Sequence, residues 1–122
     1  MKYKVGKRPI LGLTEQISIL PGSGDNTEQE AVVARIDTGA TLSSIDKELA
    51  KKLGIETVVR KKMVKSASGK NLRSVVKAII QIHGETIEEE FSLANREGMK
   101  YQVLIGQNHL KKGNFLVDPL ID

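Results

Sequence analysis

Read as a pattern of apolar and polar positions, the chain divides into short runs of strand character separated by turn formers. Residues 10 to 20, "ILGLTEQISIL", mix the two classes as a strand does, with Gly12 a candidate bulge. "PGSGDNTEQE" (residues 21–30) is dense in turn formers and reads as a long hairpin loop. "AVVARI" makes a second strand, which ends at Asp37. The convincing helix is "DKELAKKLGI", in which Asp46 is placed to cap the start, Leu49 and Leu53 lie one turn apart, and Gly54 ends it. "ETVVRKKMVKSASGKNLRSVVKAIIQI" predicts two strands joined by a polar tip at Ser66, Ala67, Ser68 and Gly69. "HGE" (residues 83–85) turns the chain into "TIEEEFSL", and "ANREG" turns it again into "YQVLIG". The last stretch, "QNHLKKGNFLVDP", predicts one helical turn and a closing strand. Many short strands, one short helix near the middle and a helical turn near the C-terminus predict an all-β fold, a small closed barrel.

Composition narrows this picture. At 122 residues the chain has the length of a single domain, 1–122, with 39% hydrophobic and 28% charged residues. With two Tyr, two Phe and no Trp, burial must rest on Val, Ile and Leu. The absence of Cys excludes a disulfide framework, a thiolate zinc site and a cysteine nucleophile. The opening "MKYKVGKRP" is basic without an apolar stretch, and no run approaches a membrane span, so a cytoplasmic location is expected. Charge is unevenly placed. Residues 57–77 hold seven cations (Arg60, Lys61, Lys62, Lys65, Lys70, Arg73, Lys77) and no acid, and Glu85, Glu88, Glu89 and Glu90 follow. This is either a solvated basic hairpin beside an acidic strand, or an electropositive surface for acidic ligands.

Candidate chemistry centres on "RIDTGATLSS" (residues 35–44), where an ionisable Asp37 ends an apolar strand among small residues. Alone, Asp-Thr-Gly is also what a strand-to-turn junction looks like. Three neighbours add weight: the apolar strand before it, the capped helix after it, and "VLIGQN" (residues 103–108) near the C-terminus. Together "ARIDTGA", the hairpin around "SASGK", "VLIGQN" and "NFLVD" resemble the retropepsin-like aspartic proteases in order and spacing. With "ILGLTEQISIL" and "FLVDP" added, the chain most resembles the archaeal and bacterial subfamily labelled ATP-dependent zinc proteases.

The resemblance implies a closed retropepsin-like acid-protease barrel and a homodimer, because each chain supplies one catalytic Asp and the chemistry needs two. Asp37 and its symmetry mate would share a proton over one water, one acting as general base and the other as general acid. It implies that Thr38 bonds across the dimer, that Gly39 admits the substrate backbone, and that Ala40 keeps the floor open. Leu104, Ile105 and Gly106 would support the loop from beneath. The hairpin at Ser66, Ala67, Ser68 and Gly69 would be the flap that closes over substrate. Retroviral members pair an acid after the motif with an Arg after the second glycine. Thr41 and Gln107 stand there in this chain, so a polar contact is expected to replace the ion pair.

No cofactor is expected. His83 and His109 lie in separate turns and read as exposed loop residues rather than zinc ligands, and no phosphate-binding loop is present. Kinship with proteins that accompany glutamate-adding ligases implies a peptide or protein substrate with glutamate-rich tails, contacted by Lys61, Lys62 and Lys65. Two other functions are open: a non-catalytic peptide-binding module of the same fold, or a basic nucleic-acid-binding barrel. The latter is disfavoured by the scarcity of stacking aromatics.

Overall fold

The computed structural model describes residues 3–22, 29–66 and 69–122. Among these residues ten strands form two sheets, accompanied by two short helices. The larger holds β3 (Thr14–Ile19), β4 (Glu30–Ile36), β9 (Val103–Ile105), β5 (Ser43–Asp46), β8 (Glu85–Ala94), β7 (Gly69–Ile82) and β6 (Val58–Ser66), in that order. A further pairing of β3 with β7 closes the first six of these into a barrel. Closure lets the inward halves of the alternating strands meet, and Ile17, Ile19, Ile36, Ile45, Ile80, Ile82, Phe91, Val103 and Ile105 are all buried there. Aliphatic side chains carry this core, as the composition requires.

The helix α1 (Lys47–Lys52) begins where the sequence places it: Asp46 accepts a hydrogen bond from the Leu49 amide, and Leu49 and Leu53 are buried. Between β7 and β8 the two-residue turn His83-Gly84 has φ of 53° and 82°. Positive φ at both positions is the I′ geometry whose twist suits a tight hairpin. Of the loop expected at residues 21–30, residues 23–28 lie outside the described residues.

Three features depart from the pattern reading. "ILGLTEQISIL" is not one strand with a bulge at Gly12: β2 (Arg8–Leu11) stops before it and β3 starts after it, in different sheets. Gly12 lies against the backbone of Ile121, where the Leu13 amide donates to the Ile121 carbonyl (2.7 Å). The basic N-terminal stretch also contributes a strand, β1 (Tyr3–Val5), which pairs with β2. The closing strand β10 (Leu116–Val117) pairs with β2 in parallel, so it completes this small second sheet rather than the barrel.

The hairpin of β6 and β7 projects from the barrel. The first four residues of β7 are exposed, and alternation with burial begins only near Val75, where β8 pairs on its other side. Among the described residues no helix is long and apolar enough to cross a membrane.

Candidate active site

The Asp37 loop is held from below by backbone groups. The Asp37 amide donates to the Ile105 carbonyl (2.8 Å), the Gln107 amide to the Ala40 carbonyl (2.7 Å), and the Asn108 amide to the Thr41 carbonyl (3.2 Å). Ile105 is fully buried in β9, directly beside Ile36 of β4. Gly106 follows, and a Cβ there would lie 2.7 Å from the Ala40 carbonyl oxygen and 3.1 Å from the Ser43 nitrogen. Only glycine permits so close an approach, which accounts for the glycine that ends "VLIG". Within the loop, the Gly39 amide donates to Asp37 Oδ1 (2.9 Å). A carboxylate is thus presented at a fixed angle, half-buried, with Thr38 and Gly39 exposed beside it.

A side-chain network stiffens the support. Ser43 Oγ accepts from the Gly106 amide (2.7 Å), lies 2.9 Å from Asn108 Oδ1, and lies 2.6 Å from His109 Nδ1. One hydroxyl proton cannot serve both Asn108 and His109. With Nδ1–H donating to Ser43 and Ser43 donating to Asn108, every contact is satisfied, so His109 carries its proton on Nδ1. Asn108 Nδ2 reaches on to the Glu90 carbonyl (2.8 Å). His109 belongs to α2 (Gln107–Lys112) and is completely buried, its ring centroid 4.6 Å from that of Phe91. The expectation of an exposed loop histidine is therefore wrong for His109, because Ser43 and Phe91, far away in sequence, give it a buried seat. Burial lowers its pKa from 6.5 to about 4, against a small opposing pull from Glu89. His83 is half-buried in its turn, and the two histidines share no site. Among the described residues no group of three or more His, Cys, Asp or Glu can hold a metal ion, so the residues present do not fit a zinc site.

Gln107 makes a polar contact, but not with Thr41: its Nε2 donates to the Thr38 carbonyl (2.8 Å). On that side of Thr38 a cleft of about 490 Å³ is lined by Gln107, Leu110, Phe115 and Leu116. On the other side, a cavity of about 430 Å³ runs from Ala40 and Leu104 to the underside of the β6–β7 hairpin. Lys62 and Lys65 line it, whereas Lys61, exposed on the same strand, does not. Ser66 and Gly69 are paired at the hairpin end, and Ala67 and Ser68 lie outside the described residues.

Two further lining residues, Arg73 and Arg96, were not singled out as contacts by sequence. Period-two reading could have found Arg73, which faces Lys62 across the hairpin. No local signal marks Arg96, which sits in a turn after β8. Of the seven hairpin cations, Arg60 forms a two-pronged ion pair with Glu90 (2.8 Å from Nη2 to Oε1), and Lys77 pairs with Glu90 in register. Hydrogen bonds from Arg60 hold the Glu90 carboxyl below its usual range. The solvated-hairpin reading thus fits Arg60, Lys77 and the exposed Lys65, whereas Lys62 and Arg73 are half-buried where they line the cavity.

With the Asp-Thr-Gly loop seated on an apolar-apolar-Gly strand inside a closed barrel, the comparison with known families is decisive. The profile of the RimB-like family, described as retropepsin-like aspartic endopeptidase RimB, matches residues 45–121. The chain belongs to this family. The matched segment of the RimB-like family begins eight residues beyond Asp37, so it covers the support of the loop and not the loop itself. Solved structures place the same fold across almost the whole chain. A Legionella pneumophila protein of unknown function aligns with a TM-score of 0.64 at 20% identity, over 92% of this chain and 94% of that one. The EIAV protease bound to an inhibitor aligns with a TM-score of 0.59 at 19% identity, over 94% and 96%. The simian foamy virus protease aligns at 0.53 and 17%, over 76% and 86%. Among curated proteins, a probable alpha-L-glutamate ligase of Shewanella pealeana is 36% identical over 63 residues. That stretch is 51% of this chain and 14% of the ligase, so the likeness spans a small part of that relative's length.

Proposed function

We propose that the chain is one half of an aspartic endopeptidase. Two copies pair about a two-fold axis, and each contributes Asp37 to a dyad that activates one water. The observation that carries this reading is the Asp37 loop: a carboxylate aimed by the Gly39 amide, locked onto Ile105 and Gly106, and flanked by a roomy cavity. Exposed Thr38 and Gly39, with the apolar-lined cleft beside them, are the surface a second copy would cover. Two carboxylates brought together cannot both ionise comfortably, so they share one proton. The ionised partner takes a proton from the water, which attacks the peptide carbonyl. The protonated partner polarises that carbonyl and then donates to the leaving amine.

We propose glutamate-rich peptide tails as the substrate. The likeness to part of a glutamate ligase supports this, since a ligase of that kind makes what such a peptidase would trim. The cations lining the cavity support it independently. We also read the N-terminal "ILGLTEQISIL" and the closing "FLVDP" as kinship with the subfamily labelled ATP-dependent zinc proteases, although the residues present do not fit the zinc in that label.

The test is cleavage of glutamate-tailed and mixed peptides by the purified protein at several pH values, beside Asp37→Asn, with mass spectrometry to locate cuts. Cleavage that vanishes in the Asn variant bears the proposal out. A dimer, confirmed by light scattering, that cuts none of these peptides would refute it and favour a peptide-binding module.

A further inference from the structure

Lys62 and Arg73 stand directly opposite one another across the β6–β7 ladder, both half-buried. Like charges in that position destabilise a sheet, so the fold by itself gives no reason to keep them. Lys65 and Arg96 line the same cavity. Among the described residues the ion pairs are Lys52 with Glu30 and Arg60 with Glu90, so none of these four cations is in direct contact with a carboxylate, although Glu90 acts on Lys62 from a distance.

Arg96 differs from the three hairpin cations in being built into the barrel. Its Nε donates to the Tyr101 carbonyl (2.8 Å), its amide donates to Asp46 Oδ1 (2.8 Å), and Nη1 lies 3.5 Å from Ser44 Oγ. Asp46 is itself buried as the cap of α1. A guanidinium anchored in this way forfeits little conformational freedom on meeting a ligand. Burial lowers its pKa, repulsion from Arg73 adds to this, and Asp46 and Asp37 pull the other way. The group therefore lies within electrostatic reach of both the flap strand and the catalytic loop. It keeps its charge throughout, since an arginine side chain does not deprotonate in proteins.

We propose that Arg96, with Arg73 and Lys62, forms a carboxylate-binding subsite in the cavity beside Ala40, and that Arg96 is its specificity-determining residue. This rests on the peptidase reading above. The cluster answers a structural cost of the cross-strand pair: a bound carboxylate between Lys62 and Arg73 turns a repulsive pair into an attractive triad. Arginine's planar fork suits a carboxylate, which accepts two parallel hydrogen bonds. The carboxylate has two sources, an acidic side chain near the cut bond or the free C-terminus of the peptide.

Fluorescein-labelled tetraglutamate, its C-terminally amidated form and tetraglutamine would be titrated against the Asp37→Asn protein, so that binding is read without turnover. The same titrations would use that protein carrying Arg96→Gln, Arg73→Gln or, as a remote charge control, Lys51→Gln. Arg96→Gln and Arg73→Gln should each raise the Kd for tetraglutamate about tenfold or more, with tetraglutamine binding changing far less. Lys51→Gln should match neither. Arg96 also holds the Tyr101 carbonyl, so Arg73→Gln decides the matter if Arg96→Gln fails to fold. A loss confined to the free-acid probe assigns the terminal carboxylate, and an equal loss with the amidated probe assigns a side chain. Equal weakening of the glutamate and glutamine probes, or an equal effect of Lys51→Gln, overturns the subsite. Arginine-dependent binding without cleavage by the wild-type chain sinks the peptidase reading alone. Cleavage of glutamate peptides with a selectivity indifferent to Arg73 and Arg96 sinks the subsite alone.

Discussion

Acidification should loosen the support of the Asp37 loop through a single side chain. His109 is neutral and fully buried, with Nδ1 on Ser43 and Nε2 buried without a hydrogen-bond partner. In the unfolded chain its pKa returns to 6.5, while in the folded chain it is about 4. Between those values unfolding takes up a proton, so stability is fully present above about pH 6.5 and is lost as pH falls toward about 4. At about 1.4 kcal/mol for each pH unit of that window, the loss is on the order of 3 kcal/mol. Urea unfolding at pH 7.5, 6, 5 and 4 would compare the wild type with His109→Gln, which cannot titrate. Carboxylates elsewhere titrate in both proteins, so the difference between the two curves isolates the histidine. At pH 7.5 the variant should be less stable by about 1–2 kcal/mol for its disturbed buried hydrogen bond. That deficit should shrink and then reverse as pH falls. Parallel curves would refute the reasoning, as would a proton NMR titration placing the His109 midpoint near 6.5.

Further expectations concern the same scaffold. Gly106→Ala sets a Cβ 2.7 Å from the Ala40 carbonyl oxygen, backbone that cannot swing aside. It should cost about 1–3 kcal/mol in urea melts and abolish cleavage even where the protein folds. Gln107→Glu loses the donor to the Thr38 carbonyl. It should lower thermal stability at pH 7 by about 0.5–1.5 kcal/mol and recover at a pH where the new carboxyl is protonated, whereas Gln107→Met should show no such recovery. Asp46→Ala removes the acceptor for both the Leu49 and Arg96 amides. A loss of about 1–3 kcal/mol is expected, with weaker binding of glutamate peptides than of glutamine peptides because Arg96 is unmoored.

Local rules made most of the barrel legible. Alternation gave the strands, His83-Gly84 gave a tight turn, and Asp46 gave the helix start, because each is decided by residues within a few positions. The acid loop was legible for the same reason, as an ionisable residue out of place on an apolar strand. What escaped depends on distant partners. The strand at Tyr3–Val5 is too short and too basic to stand out, and it exists because β2 and β10 lie beside it. His109 looks like a polar residue on a short helix until Ser43 and Phe91 are brought to it. Arg96 looks like part of a turn until Tyr101, Ser44 and Asp46 pin it. Alternation separates Lys61 from Lys62, but it groups Lys65 with Lys61, so period two alone does not pick out the cations that line the cavity.

The seat of Asp37 on Ile105 and Gly106 also bears on when the protein acquires its chemistry. As the chain is synthesised, Asp37 emerges long before the residues that orient it, and the three backbone bonds that fix its loop all reach across more than sixty positions. Loops of that span close late in folding, because their entropy must be met before the contacts return anything. Early strands such as β3 and β4 can pair while the acid loop is still loose. On the proposed peptidase reading, such a chain stays inert on the ribosome through its own topology, and the geometry of its acid loop ripens only when β9 and the start of α2 have arrived.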